Sequence, residues 1–318
     1  MTVAGGDWRG DYEALRHGAG ALVLGRDVVG VRGPDASEYL QGQLSQDIAA
    51  LGAGEAADSL VLSPQGKLDA LVRVVRLADD RWSLDTDAGF GEALQARLAR
   101  FRLRVKVEIA ALPWRCVAVR GPGTSAALAG PGAPRSLPAG AAVAVEVSWN
   151  GVTGVDLLGE APEAPAGVAR CAAEAWEAVR VEAGIPRMGA ELDERTIAAE
   201  AGLVERTVSF TKGCYTGQEL VARLDARGNR VARRLCGLVV AADAPGGHGQ
   251  APVPVGAAIV HEGKAVGTVT SAAWSPALSC PVALGYVHRS VAVPGPVELH
   301  APASERTWPA EVRALPLV

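Results

Sequence analysis

Aromatic residues are scarce in this chain: three Phe, four Tyr and seven Trp among 318 residues, or 4%. The core must therefore be built from aliphatic side chains, and 49% of the residues are hydrophobic, which is ample for a large domain and a smaller one. Long apolar runs are also missing. No stretch approaches 18 consecutive apolar residues, so no membrane-spanning helix is expected. The N-terminal MTVAGGDWRGDYEALRHG lacks a basic start followed by an apolar run, so no signal peptide is expected and the cytoplasm is the expected location. There is no excess of positive charge: 31 basic residues face 35 acidic ones, for a net charge of −4. That excludes a globally basic nucleic-acid binder while leaving room for a local basic patch. The 38 glycines and 20 prolines follow no period, which excludes collagen-like and low-complexity chains.

Cysteine pairing is a further absence. The five cysteines, at 116, 171, 214, 236 and 280, are odd in number and none are spaced as CxxC. Neither a disulfide framework nor a structural zinc site is expected. Four lie in apolar contexts and read as small buried hydrophobes; Cys214 is the exception. The histidines at 17, 248, 261, 288 and 300 have no metal-ligand or triad spacing, so no metal is expected.

What is present begins with a repeat. Residues 28–40, VVGVRGPDASEYL, and 116–128, CVAVRGPGTSAAL, share a short strand, Val-Arg-Gly-Pro and a helix start, offset by 88 residues. Glycine breaks the strand and proline suits the first helical turn. The repeat predicts two related halves within one α+β domain. It also explains GPGTSA (121–126), which matches the dinucleotide fingerprint but whose counterpart GPDASE lacks the second glycine; a Gly-Pro turn is the shared feature. SLVLSPQGKLDALVRVV (59–75) predicts a hairpin, RWSLDTD (81–87) a strand, 91–103 an amphipathic helix and 173–183 another helix, with a loop over 159–168. The Gly/Pro cluster at 243–256 predicts a boundary, followed by five or six short strands that suggest a small β-barrel. The expected organisation is an α+β region over 1–240 and a barrel over 241–318.

Residues 211–219, TKGCYTGQE, are the segment with chemical promise. Thr216 to Glu219 fits a capping box, which predicts a helix beginning at Thr216. Cys214 would then stand just upstream of a helix N-terminus and two residues from Lys212, both of which favour a thiolate. Gly213 and Gly217 leave room for a ligand or partner close to the backbone. The alternative is a structural turn whose cysteine merely packs. Between 212 and 234, Lys212, Arg223, Arg227, Arg230, Arg233 and Arg234 face only Glu219 and Asp225. This is either a solvated helix face or a local site for an anionic ligand or RNA backbone.

KGCYTGQE (212–219) resembles the signature of the YgfZ family, relatives of the glycine-cleavage T-protein. LQGQLSQDI (40–48), RVEAGIPRMGAEL (180–192) and GTVTSAAWSPALSCPVALGYV (267–287) resemble further segments of that family, so the likeness covers nearly the whole chain. It implies a T-protein-like folate-binding fold around a central channel, with tetrahydrofolate as the cofactor. Glu182 would hold the pterin, as a carboxylate can accept two hydrogen bonds from its amino-pyrimidine edge. Asp47 and Arg223 are further expected folate contacts. Cys214 and Lys212 would be the catalytic pair within a motif completed by Gly213, Tyr215, Gly217, Gln218 and Glu219, with Lys212 either tuning the cysteine or meeting the folate's glutamyl tail. The resemblance further implies an accessory role in iron–sulfur cluster assembly or repair, with iron–sulfur client enzymes, including tRNA-modifying ones, as partners. The chain departs from T-proteins at Gly66–Leu71, where Asp69 only approximates a catalytic carboxylate and Leu71 stands opposite a second Asp. The Lys-Gly-Cys core is a second departure. The alternative activity is a tetrahydrofolate-dependent aminomethyl- or methyltransferase using Asp69; direct RNA contact through 212–234 is a third reading.

Overall fold

A computed structural model describes residues 8–129, 137–241, 253–302 and 305–318. The extreme N-terminus, His248 and most of the Gly/Pro cluster lie outside the described residues. The chain begins with α1 (Arg9–His17), β1 (Gly20–Leu24), β2 (Arg26–Arg32), α2 (Ala36–Gln43), β3 (Ala56–Leu62), β4 (Leu68–Ala78), β5 (Arg81–Asp87), α3 (Gly91–Arg100) and β6 (Glu108–Leu112). It continues through β7 (Arg115–Arg120), α4 (Thr124–Ala129), β8 (Val143–Trp149), β9 (Val152–Gly159), β10 (Ala169–Arg170) and α5 (Ala173–Ala183). The short helices α6 (Val204–Thr207) and α7 (Gln218–Asp225) lead to β11 (Arg233–Val240), β12 (Ala258–His261), β13 (Lys264–Ser275), β14 (Cys280–His288), β15 (Gly295–His300) and β16 (Thr307–Arg313).

The repeated Gly-Pro turns each join a strand to a helix, β2 to α2 and β7 to α4, as the sequence predicts. The two halves are not independent, however. One five-stranded sheet runs β3-β4-β5-β2-β6 and the other β10-β1-β7-β9-β8. β1 directly precedes β2 yet pairs antiparallel with β7, setting Gly20 opposite Arg120 and Leu24 opposite Cys116. β6 directly precedes β7 yet pairs antiparallel with β2, setting Val28 opposite Leu112. Each half therefore lends its first strand to the sheet of the other.

Helices α2 and α3 cover one face of the first sheet, burying Leu40, Leu94 and Leu98 against Val72, Val74 and Trp82. Such side chains each contribute about 1.5–3 kcal/mol on full burial. The Ala-rich α5 is buried on several sides, because it is wedged between α1, the second sheet and the barrel; Ala175, Ala178 and Val179 share a core with Tyr12, Ala118 and Leu284. The six C-terminal strands close a barrel in the order β11-β14-β13-β12-β15-β16, with β16 pairing back onto β11. Its first strand, Arg233–Val240, precedes the boundary expected at 241. The Gly/Pro cluster thus falls between two strands of the barrel, and its glycines and prolines mark a connection within that domain.

Polar packing joins the two sheets. Arg73 on β4 donates to both carboxylate oxygens of Asp85 on β5, at 3.0 and 3.1 Å, and to Asp156 on β9 of the other sheet at 2.6 Å. Asp156 also pairs with Arg120 on β7 at 2.6 Å. At the other end Arg26 on β2 bridges Asp85 and Asp87, at 2.7 and 2.9 Å. Three guanidinium groups and three carboxylates alternate in one chain that crosses between the sheets. The same Val-Arg-Gly-Pro motif gives Arg32 an exposed pair with Glu108 at 2.7 Å and Arg120 a place in this buried network.

Burial opposes the charge on Asp156, but Arg120 and Arg73 outweigh it and hold the pKa at about 2, below the usual 3.8. As pH falls the unfolded chain takes up this proton first, so the stabilisation from Asp156 is lost between about pH 4 and pH 2. Asp156→Ala is expected to cost about 3–5 kcal/mol at neutral pH, because Arg73 and Arg120 are left buried beside a missing counter-charge. Urea denaturation measures the loss, and the gap between variant and wild type should narrow towards pH 2.

Candidate functional site

The ion-pair chain lies along a cavity of about 740 Å³ between the two sheets and α5. Leu22, Leu24, Leu71 and Met188 supply apolar wall, and Trp149 and Trp176 the aromatic surface. Arg206 lies over the Trp149 ring at 4.1 Å and donates to Asp58 Oδ2 at 2.6 Å. Glu177 on α5 accepts from Arg180 at 2.9 and 2.5 Å. Burial opposes ionisation of Glu177, but Arg180 and then Arg187 outweigh it and hold the carboxyl below the usual glutamate range. Glu146 and Glu174 are exposed at the cavity and have no ion-pair partner among the described residues. The cavity thus combines stacking surface, carboxylate acceptors and guanidinium donors, the mixture that binds a flat, partly anionic ligand of cofactor size.

Glu182 does not line this cavity. It lies on the opposite side of α5 from Glu177, fully buried. Its carboxylate accepts from Tyr12 Oη at 2.9 and 3.1 Å, from Ser275 Oγ at 2.5 Å and from Arg16 Nη2. Its backbone carbonyl accepts from the Leu317 amide at 2.7 Å. These partners make the carboxylate part of a joint between α1, α5 and the barrel, at the position where the resemblance implies a pterin contact. Burial first and the Glu182 charge second push the Tyr12 hydroxyl above its ordinary pKa.

Lys212 and Asp47 are brought together, though not at the cavity. The Lys212 ammonium donates to the carbonyls of Gln41 and Leu44 at 2.6 Å and of Gln46 at 3.2 Å, closing off the C-terminal end of α2. Three acceptors use all three ammonium protons, leaving none for Cys214. Burial draws the Lys212 pKa down to about 8, against a smaller upward pull from Asp47. Asp47 itself accepts from Gln41 Nε2 at 2.8 Å and the Ala49 amide at 3.1 Å.

The expected helix start at Thr216 is corrected: α7 begins at Gln218, with no side-chain cap. Gly217 adopts φ +82°, and a Cβ there would come within 2.4 Å of the Ser63 carbonyl in the β3–β4 turn. The chain must turn at that glycine before the helix can begin, so Thr216 cannot cap it. The Gln218 side chain instead accepts from the Tyr215 amide at 3.2 Å. Tyr215 is buried, which raises its hydroxyl pKa to about 12. Gly213 has open space around it, and Glu219 and Arg223 form an exposed pair at 3.8 Å. Cys214 is exposed, while Cys116, Cys236 and Cys280 are buried and Cys171 is half-buried. Asp69 pairs with Arg97 at 2.8 Å away from the cavity wall, to which Leu71 contributes.

The four family-like segments therefore meet in two joints. The 40–48 segment is tied to 212–219 through Lys212 and through the Thr216 amide, which donates to the Gly42 carbonyl at 3.1 Å. The 180–192 segment is tied to 267–287 through Arg180, Glu191 and Ser271, at 2.6 Å from Arg180 to Ser271 and 2.5 Å from Ser271 to Glu191. Sequence reasoning missed Asp58, Trp149, Glu177 and Arg206, which lie singly in separate elements with no spacing to connect them. Glu182→Ala is expected to destabilise the fold by about 3–5 kcal/mol, since Arg16 loses its buried counter-charge. Lys212→Met should cost about 2 kcal/mol by leaving carbonyls at the end of α2 without a charged donor. Chemical denaturation reads both.

Comparison with known proteins agrees with this architecture. Residues 233–318 match the family described as the glycine cleavage T-protein C-terminal barrel domain. An aminomethyltransferase of Streptomyces avermitilis is 29% identical, over 99% of this chain and 91% of that one. An aminomethyltransferase of Rubrobacter xylanophilus is also 29% identical, over 90% of this chain and 81% of that one. The crystal structure of the glycine cleavage system aminomethyltransferase T from Bartonella henselae superposes with a TM-score of 0.80 at 23% identity, covering 98% of this chain and 89% of that one. No helix of the described residues is long and apolar enough to cross a membrane. The chain thus has the fold of a glycine-cleavage T-protein, with that protein's C-terminal barrel domain at residues 233–318.

Proposed function

We propose that this protein binds tetrahydrofolate in the cavity between its sheets and acts as a YgfZ-type accessory protein in iron–sulfur cluster assembly or repair, with tRNA-modifying enzymes among its clients. The observation that carries the folate reading is the cavity itself, on a T-protein-like fold: its volume, its two tryptophans and its paired charges suit the cofactor's parts. Asp58 and Glu177, each part-buried and paired with an arginine, offer acceptors to an amino-pyrimidine edge. Trp149, Leu71 and Met188 offer apolar contact to flat rings. When bound, the folate supplies a one-carbon carrier; the residues around it bind and orient.

The accessory role rests on the likeness of residues 212–219 and on the presentation of Cys214. Of the five thiols it is the exposed one. Lys212 and Thr216 anchor the backbone on either side of it to α2 and the residues just after, so the thiol stands on a fixed base. That arrangement suits transient contact with a partner's thiol or cluster. A standing cluster would typically take four cysteine ligands.

A second reading, a tetrahydrofolate-dependent aminomethyltransferase, is favoured by relatives of that name across nearly the whole chain. Against it stand the pairing of Asp69 with Arg97 and the aliphatic Leu71 on the cavity wall.

Calorimetric titration with tetrahydrofolate should show one site, and Asp58→Ala should weaken it at least tenfold, about 1.4 kcal/mol. Absence of binding by the wild type would overturn the folate reading. Cys214→Ser should bind folate like the wild type but fail to restore an iron–sulfur client in cells lacking the protein. Full restoration would remove Cys214 from the function. Turnover of an aminomethyl donor that is lost in Asp69→Asn would decide for the transferase.

A further inference from the structure

The basic segment after α7 is not used by the cavity, and the fold gives it a shape. Asn229, Arg230, Arg233 and Arg234, from the turn leaving α7 and the start of β11, line a pocket of about 340 Å³ together with Arg289 from the turn after β14. The Arg289 amide donates to the Ala232 carbonyl at 2.9 Å, which fastens the two turns together. We propose that this pocket binds a phosphate group, as inorganic phosphate or a phosphate monoester.

Two of its guanidinium groups are held in place. Arg233 donates to Glu200 at 3.1 Å and lies over the Tyr286 ring at 4.6 Å. Arg234 donates to the Val291 carbonyl at 3.1 Å. The other two, Arg230 and Arg289, are exposed and have no ion-pair partner among the described residues. Glu200 offsets one of the four positive charges. The nearby Asp225 accepts from Asn229 Nδ2 at 3.3 Å. Cations brought together from two turns repel one another unless an anion joins them. A tetrahedral dianion suits several converging guanidinium forks better than a single planar carboxylate does. One acceptor also awaits a donor: Asn229 Oδ1 is buried and has no hydrogen-bond partner among the described residues. A phosphate that retains a P–OH, or an ester with a neighbouring hydroxyl, would satisfy it. No lining residue is shared with the larger cavity, so this site is separate from the proposed folate site.

The probe is inorganic phosphate, titrated calorimetrically into the full chain at constant ionic strength balanced with chloride. Saturable one-site binding is expected, at least tenfold weaker in Arg230→Ala/Arg289→Ala and unchanged in Arg81→Ala, an exposed arginine outside the pocket. Circular dichroism and the melting temperature in chloride establish that the double variant is folded. If it is not, Arg230→Gln/Arg289→Gln takes its place. Phosphate heats no greater than those of chloride, or binding undiminished by the double substitution, would overturn the proposal. Binding of a single-stranded RNA oligonucleotide that the double substitution abolishes, with no binding of phosphate alone, would overturn it in favour of an extended nucleic-acid surface.

Discussion

Arg73 ties the two sheets of this molecule to each other. It is buried, bidentate to Asp85 in its own sheet, and it reaches Asp156 in the other. A buried ion pair of this kind is a weak source of net stability, since desolvation offsets most of the attraction. Its effect here is geometric. Two apolar sheet faces would close on each other and leave no space, whereas an alternating chain of guanidinium and carboxylate groups fixes the spacing and carries polarity into the interior. The cavity is what remains between sheets held in that way. Cys116, beside the network, is fully buried, and that burial pushes its thiol above the usual range.

The same preference for polar joints recurs at the boundaries between parts. Arg180, Glu191 and Ser271 fasten α5 and the segment after it to the barrel, and Tyr12, Arg16 and Ser275 converge on Glu182. Lys212 fastens the loop before α7 to the end of α2. Hydrophobic contact alone is non-directional and tolerates sliding. Hydrogen-bonded charges fix register, and a cavity bounded by three structural units needs that precision.

The regular parts of this fold were legible in the sequence. Val-Arg-Gly-Pro announces the repeated strand–turn–helix unit, and the alternating short runs after residue 256 announce the barrel, because both are local patterns of backbone conformation and burial. The barrel's first strand was hidden ahead of a Gly/Pro cluster that looks like a boundary. The capping box at Thr216 misled because a local pattern met a non-local constraint, the Ser63 carbonyl against which Gly217 packs. Asp58, Trp149, Glu177 and Arg206 were invisible for the same reason: each is an ordinary residue in its own element, and only the topology puts them around one space. The ligand role of Glu182 comes from the resemblance alone, and its partners Tyr12, Arg16 and Ser275 lie 170, 166 and 93 positions away, beyond any local pattern.

The exchange of β1 and β6 between the halves bears on how the chain comes off the ribosome. Gly20–Leu24 finds its ladder partner only when residues 116–120 have been made, and its other neighbour only at 169–170. During that interval an aliphatic strand has both edges open, the condition in which strands pair with the wrong chain. Synthesis of the second half is therefore a requirement for completing the first. A ribosome that stalls, or a truncation, anywhere before Arg120 would release an aggregation-prone fragment in place of a folded half.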